Sequence, residues 1–531
     1  MAYLYGASVQ GIQGFIFQTN KLKEIVGASE LVEQICTTKF LEVAGIDSSV
    51  RDTDGNIPNL IINAAGNIKY IFEDKAKCEN FVRIFPKVIM DFAPGITISQ
   101  AVVPLSGDLS KDIDFLEQRL KVQRSKVSMP VETGFMGLER DRRAGGVAFI
   151  SRNKRKGGSE EICEATHKKR QKSDPDYQYK DEQQKENLFF KISNKVVSKD
   201  EVPHDVDKIS ESGKNSWLAI IHADGNALGI LLQTLGKKLK ENKFSAEKVK
   251  TAFSTFSKNL DAATKKAAQI AFENIIKVDL AEYKYPIRPV ILGGDDLTVI
   301  IRADLALDFT IEFLKAFEKE TETQFGFLKT EYKVDGFENG ITACAGIAYI
   351  KEKYPFHYGV HLADMLTGKA KKFSKEDEKA IPPSSISFYK VQSSFIESLD
   401  DMTGKTLTAT ESSVSFDYGP YLIHAQEGKP SVEMLKKKLA VLEEEAEKRD
   451  QSRGVSKLRQ WISELYKDKS TASFMLERIK QTEEHRKEKS LYERLGLENA
   501  LEEIEKNKDE NVLPKHKTII YDVIQLHSLK Y

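Results

Sequence analysis

RPVILGGDDLTVII, residues 288–301, is two apolar runs meeting at Gly293-Gly294-Asp295-Asp296, the pattern of a β-hairpin whose tip carries two adjacent carboxylates. Upstream, SWLAIIHAD (216–224) reads as a strand ending in Asp224, with a turn at Gly225-Asn226 and a long helical stretch behind it. Downstream, LALDFTIEFLKAFEKE (305–320) has helical spacing, ITACAGIAYI (341–350) is strand-like, and VHLADMLTGKAKKFSK (360–375) is helical again. The order is strand, helix, hairpin, helix, strand.

The same order stands at the N-terminus. Residues 2–8 are a short apolar strand, KLKEIVGASELVEQICTTKFLEVAG (21–45) is helical, and NLIINAAGNIKYIFED (59–74) is a pair of apolar runs broken at Ala65-Gly66-Asn67. CENFVRIFPKVIMDFA (78–93) then reads as a helix and GITISQAVVPL (95–105) as a strand. An internal repeat of this kind predicts an α+β fold with two ferredoxin-like sheets, each with its helices on one face, and acids at only the second hairpin. Residues 106–214 are polar, with basic clusters at Arg140, Arg142, Arg143, Lys154, Arg155, Lys156, Lys168, Lys169 and Arg170. These read as a solvated surface or as a patch for RNA or a partner. Residues 403–419, rich in Thr, Ser and Gly, read as a linker to a charged helical C-terminal region. The expected units are 1–105, 106–214, 215–402 and 403–531.

With 531 residues the chain is several times the usual domain of roughly 100–200 residues. Lys plus Arg and Asp plus Glu balance at 80 each, so any polyanion site must be local. The four cysteines, Cys36, Cys78, Cys163 and Cys344, form no C-x-x-C pair, which argues against a disulfide framework and a zinc site. MAYLYGASVQGIQGFIF (1–17) lacks the basic start and long apolar core of a signal peptide, and no run of about 18 apolar residues occurs, so the expectation is a soluble cytoplasmic protein without membrane contact.

Adjacent carboxylates repel, and that repulsion is relieved by a hard divalent cation with oxygen ligands. A solvated Asp-Gly turn is the alternative for the tetrapeptide alone. Asp224 shifts the balance, because a strand end beside the hairpin brings a third acid to the pair. Three acids on two neighbouring strands are suited to two Mg²⁺ or Mn²⁺ ions bridging a nucleoside triphosphate. Lys371 and Lys372 on the following helix could offset phosphate charge. By strand alternation His222 shares the sheet face of Asp224, as a supporting group or as a core or edge histidine. No P-loop, dinucleotide fingerprint or G-x-S-x-G elbow is present.

These residues carry a family resemblance. Asp224, the GGDD loop, Thr342-Ala-Cys-Ala-Gly346 and Ala363-Asp-Met-Leu-Thr-Gly-Lys-Ala-Lys371 resemble the motifs of diguanylate cyclases. Asp296 followed by Leu is instead similar to the large polymerase subunit of type III CRISPR effector complexes, the Cas-ten family with its Cmr branch. GIQGFIF (11–17) with KLKEIVGASELVEQI (21–35) resembles that subunit's first Palm half, and ADGNALG (223–229) the start of its second; the likeness runs from residue 1 to about 400.

The resemblance implies two facing Palm domains and synthesis of a nucleotide second messenger from ATP when target RNA is bound. It implies that Asp224, Asp295 and Asp296 bind metal, that Asp295 and Asp296 are catalytic, and that Gly225, Gly293, Gly294 and Lys371 contact the nucleotide. Asn67 and Ser257, the latter in FSKNL (256–260), are carried over as base or ribose contacts. The product is a cyclic oligoadenylate or, with S-adenosylmethionine as acceptor, an AMP conjugate. Implied partners are the other type III subunits with guide RNA and target RNA. Asn226 stands where the family has a second acid, and His204-Asp205 lacks the further ligands an HD nuclease needs. Zinc is not expected between the Palms, so that region is expected to be held by packing alone. Two rivals stay open, a stand-alone defence cyclase and a catalytically silent scaffold subunit.

Overall fold

The structure is a computed structural model that describes all residues except 1, 52–55, 65, 127–135, 154–157, 180–184, 186, 211–215, 280–283, 336–339, 377–380, 393–397, 400–401, 449–452, 484–490, 505–514 and 531. Lys154, Arg155, Lys156 and Ala65 therefore lie outside the described residues.

Both halves of the repeat fold alike. Strands β1 (Tyr3–Gln10), β2 (Leu60–Ala64), β3 (Asn67–Phe72) and β4 (Thr97–Pro104) form an antiparallel sheet in the order β2-β3-β1-β4. A short hairpin, β5 (Ile150–Asn153) with β6 (Ser159–Ile162), belongs to the connecting region. In the second half β7 (Trp217–Gly225), β8 (Ile287–Gly293), β9 (Asp296–Arg302) and β10 (Ala343–Lys351) repeat the arrangement as β10-β7-β9-β8. This sheet is extended past β10 by the parallel strand β11 (Ser385–Lys390). Each half is the strand–helix–hairpin–helix–strand unit of a ferredoxin-like fold, so the predicted α+β class holds.

The central strands are buried on both faces. Leu218, Ala219, Ile220, Ile221 and Ala223 of β7 and Val299, Ile300 and Ile301 of β9 are almost wholly inaccessible, because helices cover one face and the first half and the connector approach the other. The two halves are joined directly. Ser29 Oγ on the helix Leu22–Gln34 donates to the Val290 carbonyl of β8, and Asn20 Oδ1 accepts from the Phe356 amide at the start of the helix Phe356–Lys375.

Two expectations are corrected. Residues 403–419 are not a plain linker: Leu407, Ala409, Val414 and Phe416 are buried, and 408–409 and 414–415 form short paired strands. Their apolar residues alternate within a polar composition, which hides a period-2 signal in a Thr- and Ser-rich stretch. The basic run in the connector is not merely a solvated surface, and packing alone does not hold this region. Arg170 donates Nε and Nη2 to Glu24 Oε1 at 2.8 and 2.7 Å, Arg143 approaches the same oxygen at 3.4 Å, and both arginines also pair with Glu160. Lys169 is buried, its Nζ donating to the Phe15 carbonyl at 2.6 Å. Asp141 accepts from the Cys163 amide at 3.1 Å and the Thr166 hydroxyl at 2.6 Å. The connector is thus fastened to the first sheet's helix by buried ion pairs and hydrogen bonds.

Candidate functional site

β8 and β9 close through a pairing of Gly293 with Asp296, which leaves Gly294 and Asp295 as a two-residue loop. Gly294 has φ of 62°, the left-handed value that a tight hairpin of this length requires at its first loop position and that a side chain would resist. The loop is pinned from behind, since Thr264 Oγ1 on the long helix Ala246–Ile275 donates to the Gly294 carbonyl at 2.5 Å. β7 lies beside β9 with Ala223 opposite Leu297, so its last residues reach the loop. Asp224, Asp295 and Asp296 consequently converge, each offering a carboxylate oxygen within 4.8 Å of the others, and all three are half-buried.

Gly225 makes this convergence possible. A Cβ placed there would stand 3.0 Å from Asp295 Cβ, 3.1 Å from its Oδ2 and 2.9 Å from Leu228 Cδ1, so the turn after β7 must be bare for Asp295 to lie against it. Lys371 supplies one positive charge. Its Nζ pairs with Asp224 and donates to the Gly225 carbonyl at 2.9 Å, whereas Lys372 is exposed.

One lysine does not neutralise three acids. Burial, followed by the charges of Asp296 and Asp224, pushes the Asp295 carboxyl well above the usual range. Burial and then Asp224 push Asp296 up to about 7, opposed by Lys371. A cluster that holds its protons so tightly has unmet demand for positive charge. Its donor set, carboxylate oxygens only, suits a hard divalent cation of the Mg²⁺ or Mn²⁺ kind.

His222 is buried in the sheet, its Nδ1 bonded to Thr298 Oγ1 at 3.0 Å and its Nε2 3.7 Å from Asp364. Burial, more than the opposing charges of Asp364 and Asp224, lowers its pKa and favours the neutral ring. Asn226 points away from the acids. Its Nδ2 reaches Thr342 Oγ1 at 3.0 Å and Cys344 Sγ at 3.3 Å, which removes the position from the carboxylate cluster.

Two cavities open between the halves and meet at the hairpin. One, about 920 Å³ with its open solvent, runs from Asp296, His222 and Gly293 to Gln13, Glu33 and Gly66 of the first half. The other, about 950 Å³, is lined by Gly293, Ser257, Asp261, Glu33 and Asn63. Ser257 therefore faces a cavity, as do Asn63 and Gly66 of the first hairpin, next to Asn67 at the start of β3. Glu33, Asn63 and Asp261 escaped the sequence reading. Asp261 follows Ser257 by four residues on one helix, a spacing that could have flagged it; Glu33 and Asn63 gave no local signal.

A strand-end acid beside a hairpin-borne acid pair, on a ferredoxin-like sheet, defines a Palm-type site. Residues 217–380 match the second palm domain of Cas10/Cmr2. No curated protein matches the chain. Among solved structures it is similar to a Csm1-Csm4 cassette in complex with cA4, with 13% identity, 74% of this chain and 54% of that chain covered, and a TM-score of 0.42. Similar cassettes include one with AMPPNP, with 15% identity, 72% and 54% coverage and a TM-score of 0.43, and one with cA3, with 14%, 99% and 69%, and 0.47. The chain spans about half the length of the first of these, 54%.

Proposed function

We propose that this chain is the large Palm subunit of a type III CRISPR effector complex and joins nucleotides from ATP into a second messenger. The observation that carries the reading is the set of carboxylates of Asp224, Asp295 and Asp296 within 4.8 Å inside a segment matching a Cas10/Cmr2 second palm. In this reading the three acids hold two divalent cations. When bound, such ions neutralise triphosphate oxygens and lower the pKa of an attacking hydroxyl.

The chain's own residues do the rest. Gly293 and Gly294 present bare backbone along which phosphates can approach, and Lys371 turns from Asp224 to the triphosphate once the acid is otherwise compensated. Asp295 and Asp296 fix the site where the 3′ hydroxyl of one nucleotide meets the α-phosphate of the next. A new O–P bond forms there, the bond to pyrophosphate breaks, and the hydroxyl proton leaves to solvent. Ser257 and Asn67 are assigned, with Asn63, to the base or ribose. The product is a cyclic oligoadenylate or an AMP conjugate such as one with S-adenosylmethionine. Guide RNA, target RNA and other type III subunits are the proposed partners, and the units 1–105, 106–214, 215–402 and 403–531 the proposed domains.

The raised carboxyl pKa values give a test that needs no partner. The folded form holds protons that the unfolded chain would release, so the cluster's contribution to stability is present at acidic pH and is lost as pH rises through about 7. Mn²⁺ should reverse that loss. Calorimetry is expected to show an unfolding temperature raised by several degrees with Mn²⁺ at pH 7.5 and hardly at pH 5, with no response in Asp295→Asn/Asp296→Asn. An unfolding temperature indifferent to Mn²⁺ at pH 7.5 contradicts a metal site. Gly225→Ala, which pushes Asp295 aside, should weaken the Mn²⁺ response while the chain still folds.

A further inference from the structure

At the far end of the same sheet from the acids, positive charge collects with no carboxylate paired to it among the described residues. Lys351 closes β10 opposite Trp217 of β7, and Lys390 closes β11 opposite Tyr349. Their ammonium groups lie over the one Trp217 ring, 4.3 and 4.6 Å from its centroid. Arg459, on the helix Arg453–Leu465 of the C-terminal region, adds a third charge near Lys390. Among the described residues no Asp or Glu pairs with Lys351, Lys390 or Arg459; Lys390 donates to Ser528 Oγ and Lys351 to Ser216 Oγ at 3.3 Å.

Lys390 and Arg459 border a groove of about 880 Å³ between the palm sheet and the C-terminal helices, lined also by Gln392, Ser463, Tyr466 and Ser528. Burial, then Arg459 and Lys351, lowers the Lys390 pKa to about 8, with no carboxylate acting to restore it. Partly buried cations elsewhere take carboxylates, Arg170 with Glu24 and Glu160 and Lys191 with Glu33, and the buried Lys169 and Arg288 are saturated by neutral acceptors instead. Two cations on one groove wall, with Lys351 behind Lys390 and no Asp or Glu in the lining, are arranged for an anion.

We propose that this groove binds a phosphate group, held by Lys390 and Arg459. Phosphate fits because it accepts several hydrogen bonds at once and matches the guanidinium fork. The site joins the strand β11, the long C-terminal helices and the base of the palm sheet, so an occupant would bridge palm and C-terminal region. It is independent of the catalytic reading, because its residues lie at the opposite end of β7 from Asp224.

The test uses the full chain in EDTA, which silences the acid cluster. Trp217 and Trp461 are the only tryptophans and Trp461 is fully buried, so emission changes that vanish in Trp217→Phe report the groove. Sodium pyrophosphate and a mixed-sequence single-stranded RNA are titrated separately. A saturable change is expected, with its midpoint weakened at least about tenfold in Lys390→Gln and in Arg459→Gln through loss of a charge-assisted hydrogen bond. Arg459 is exposed, so its variant tests the site even if Lys390→Gln perturbs the fold. Saturation by pyrophosphate assigns free or terminal phosphate. Saturation by RNA alone, with a salt slope reduced by about 0.7 per cation removed, assigns backbone phosphate. No saturable change with either probe, or midpoints equal in wild type and Arg459→Gln, overturns the proposal.

Discussion

Replacing Asp295 and Asp296 together by Asn is expected to abolish nucleotide joining, a loss on the order of a thousandfold or more, while the chain folds as well as before or better. The two effects share one cause. The acids sit half-buried with oxygens within 4.8 Å of one another and of Asp224, and a single lysine offsets them. Removing two charges relieves repulsion in the metal-free chain and takes away the oxygens that position cations on the triphosphate. Asn keeps the size of the side chain, so the Gly294-Asp295 loop and its bond from Thr264 should persist. Measured together, product yield should collapse and the unfolding temperature at pH 7.5 without metal should stay level or rise. A variant that loses stability would mean the acids serve the fold, leaving the cluster without its functional reading.

The second large effect concerns stability alone. Arg170→Ala is expected to cost about 3–5 kcal/mol locally, because it strands the Glu24 carboxylate in the interior. Glu24 has 2% of its side chain exposed, and Arg170 gives it two hydrogen bonds while also holding Glu160. Thr19 and the more distant Arg143 would remain, and neither replaces that fork. The expected loss is local, so the readout is hydrogen exchange of the helix Leu22–Gln34. Its protection should fall sharply in Arg170→Ala and recover in part in Arg170→Ala/Glu24→Gln, where no buried charge is left unpaired. Unchanged protection in the single variant would show that this ion pair does not fasten the connector.

The repeat and its strand order are legible because both depend on local signals. Apolar runs with period 2 or 3.6, and a Gly-Gly-Asp-Asp turn between two of them, suffice to place β7, β8, β9 and β10. Asp224 joins the site by the same logic, since a strand-end residue beside a hairpin has few places to go. What stayed hidden is set by long-range pairing. Glu24 is an ordinary helix residue in sequence, and only the arrival of Arg170, 146 positions later, makes it a buried ion-pair partner. The basic connector looks solvated for the same reason: the carboxylates of Glu24 and Glu160 that absorb its charge are not recognisable until the chain folds.

Glu33, Asn63 and Asp261 were missed because a cavity between two sheets has no signature in either one. Leu407, Ala409, Val414 and Phe416 were missed because four apolar residues among threonines and serines fall below what composition can reveal. At the far end of β7 the converse holds. Lys351, Lys390 and Arg459 are unremarkable surface residues in sequence, and only the fold shows that no acid among the described residues pairs with them.

The central claim is tested most directly by incubating the purified chain, alone and with the subunits and RNA that accompany it, with labelled ATP and Mn²⁺, with and without S-adenosylmethionine, and resolving products by mass. The account predicts a new phosphodiester-linked adenylate, with release of pyrophosphate, that is absent from Asp295→Asn/Asp296→Asn. Intact ATP after incubation with target RNA bound and Mn²⁺ present would contradict it and leave the chain a scaffold.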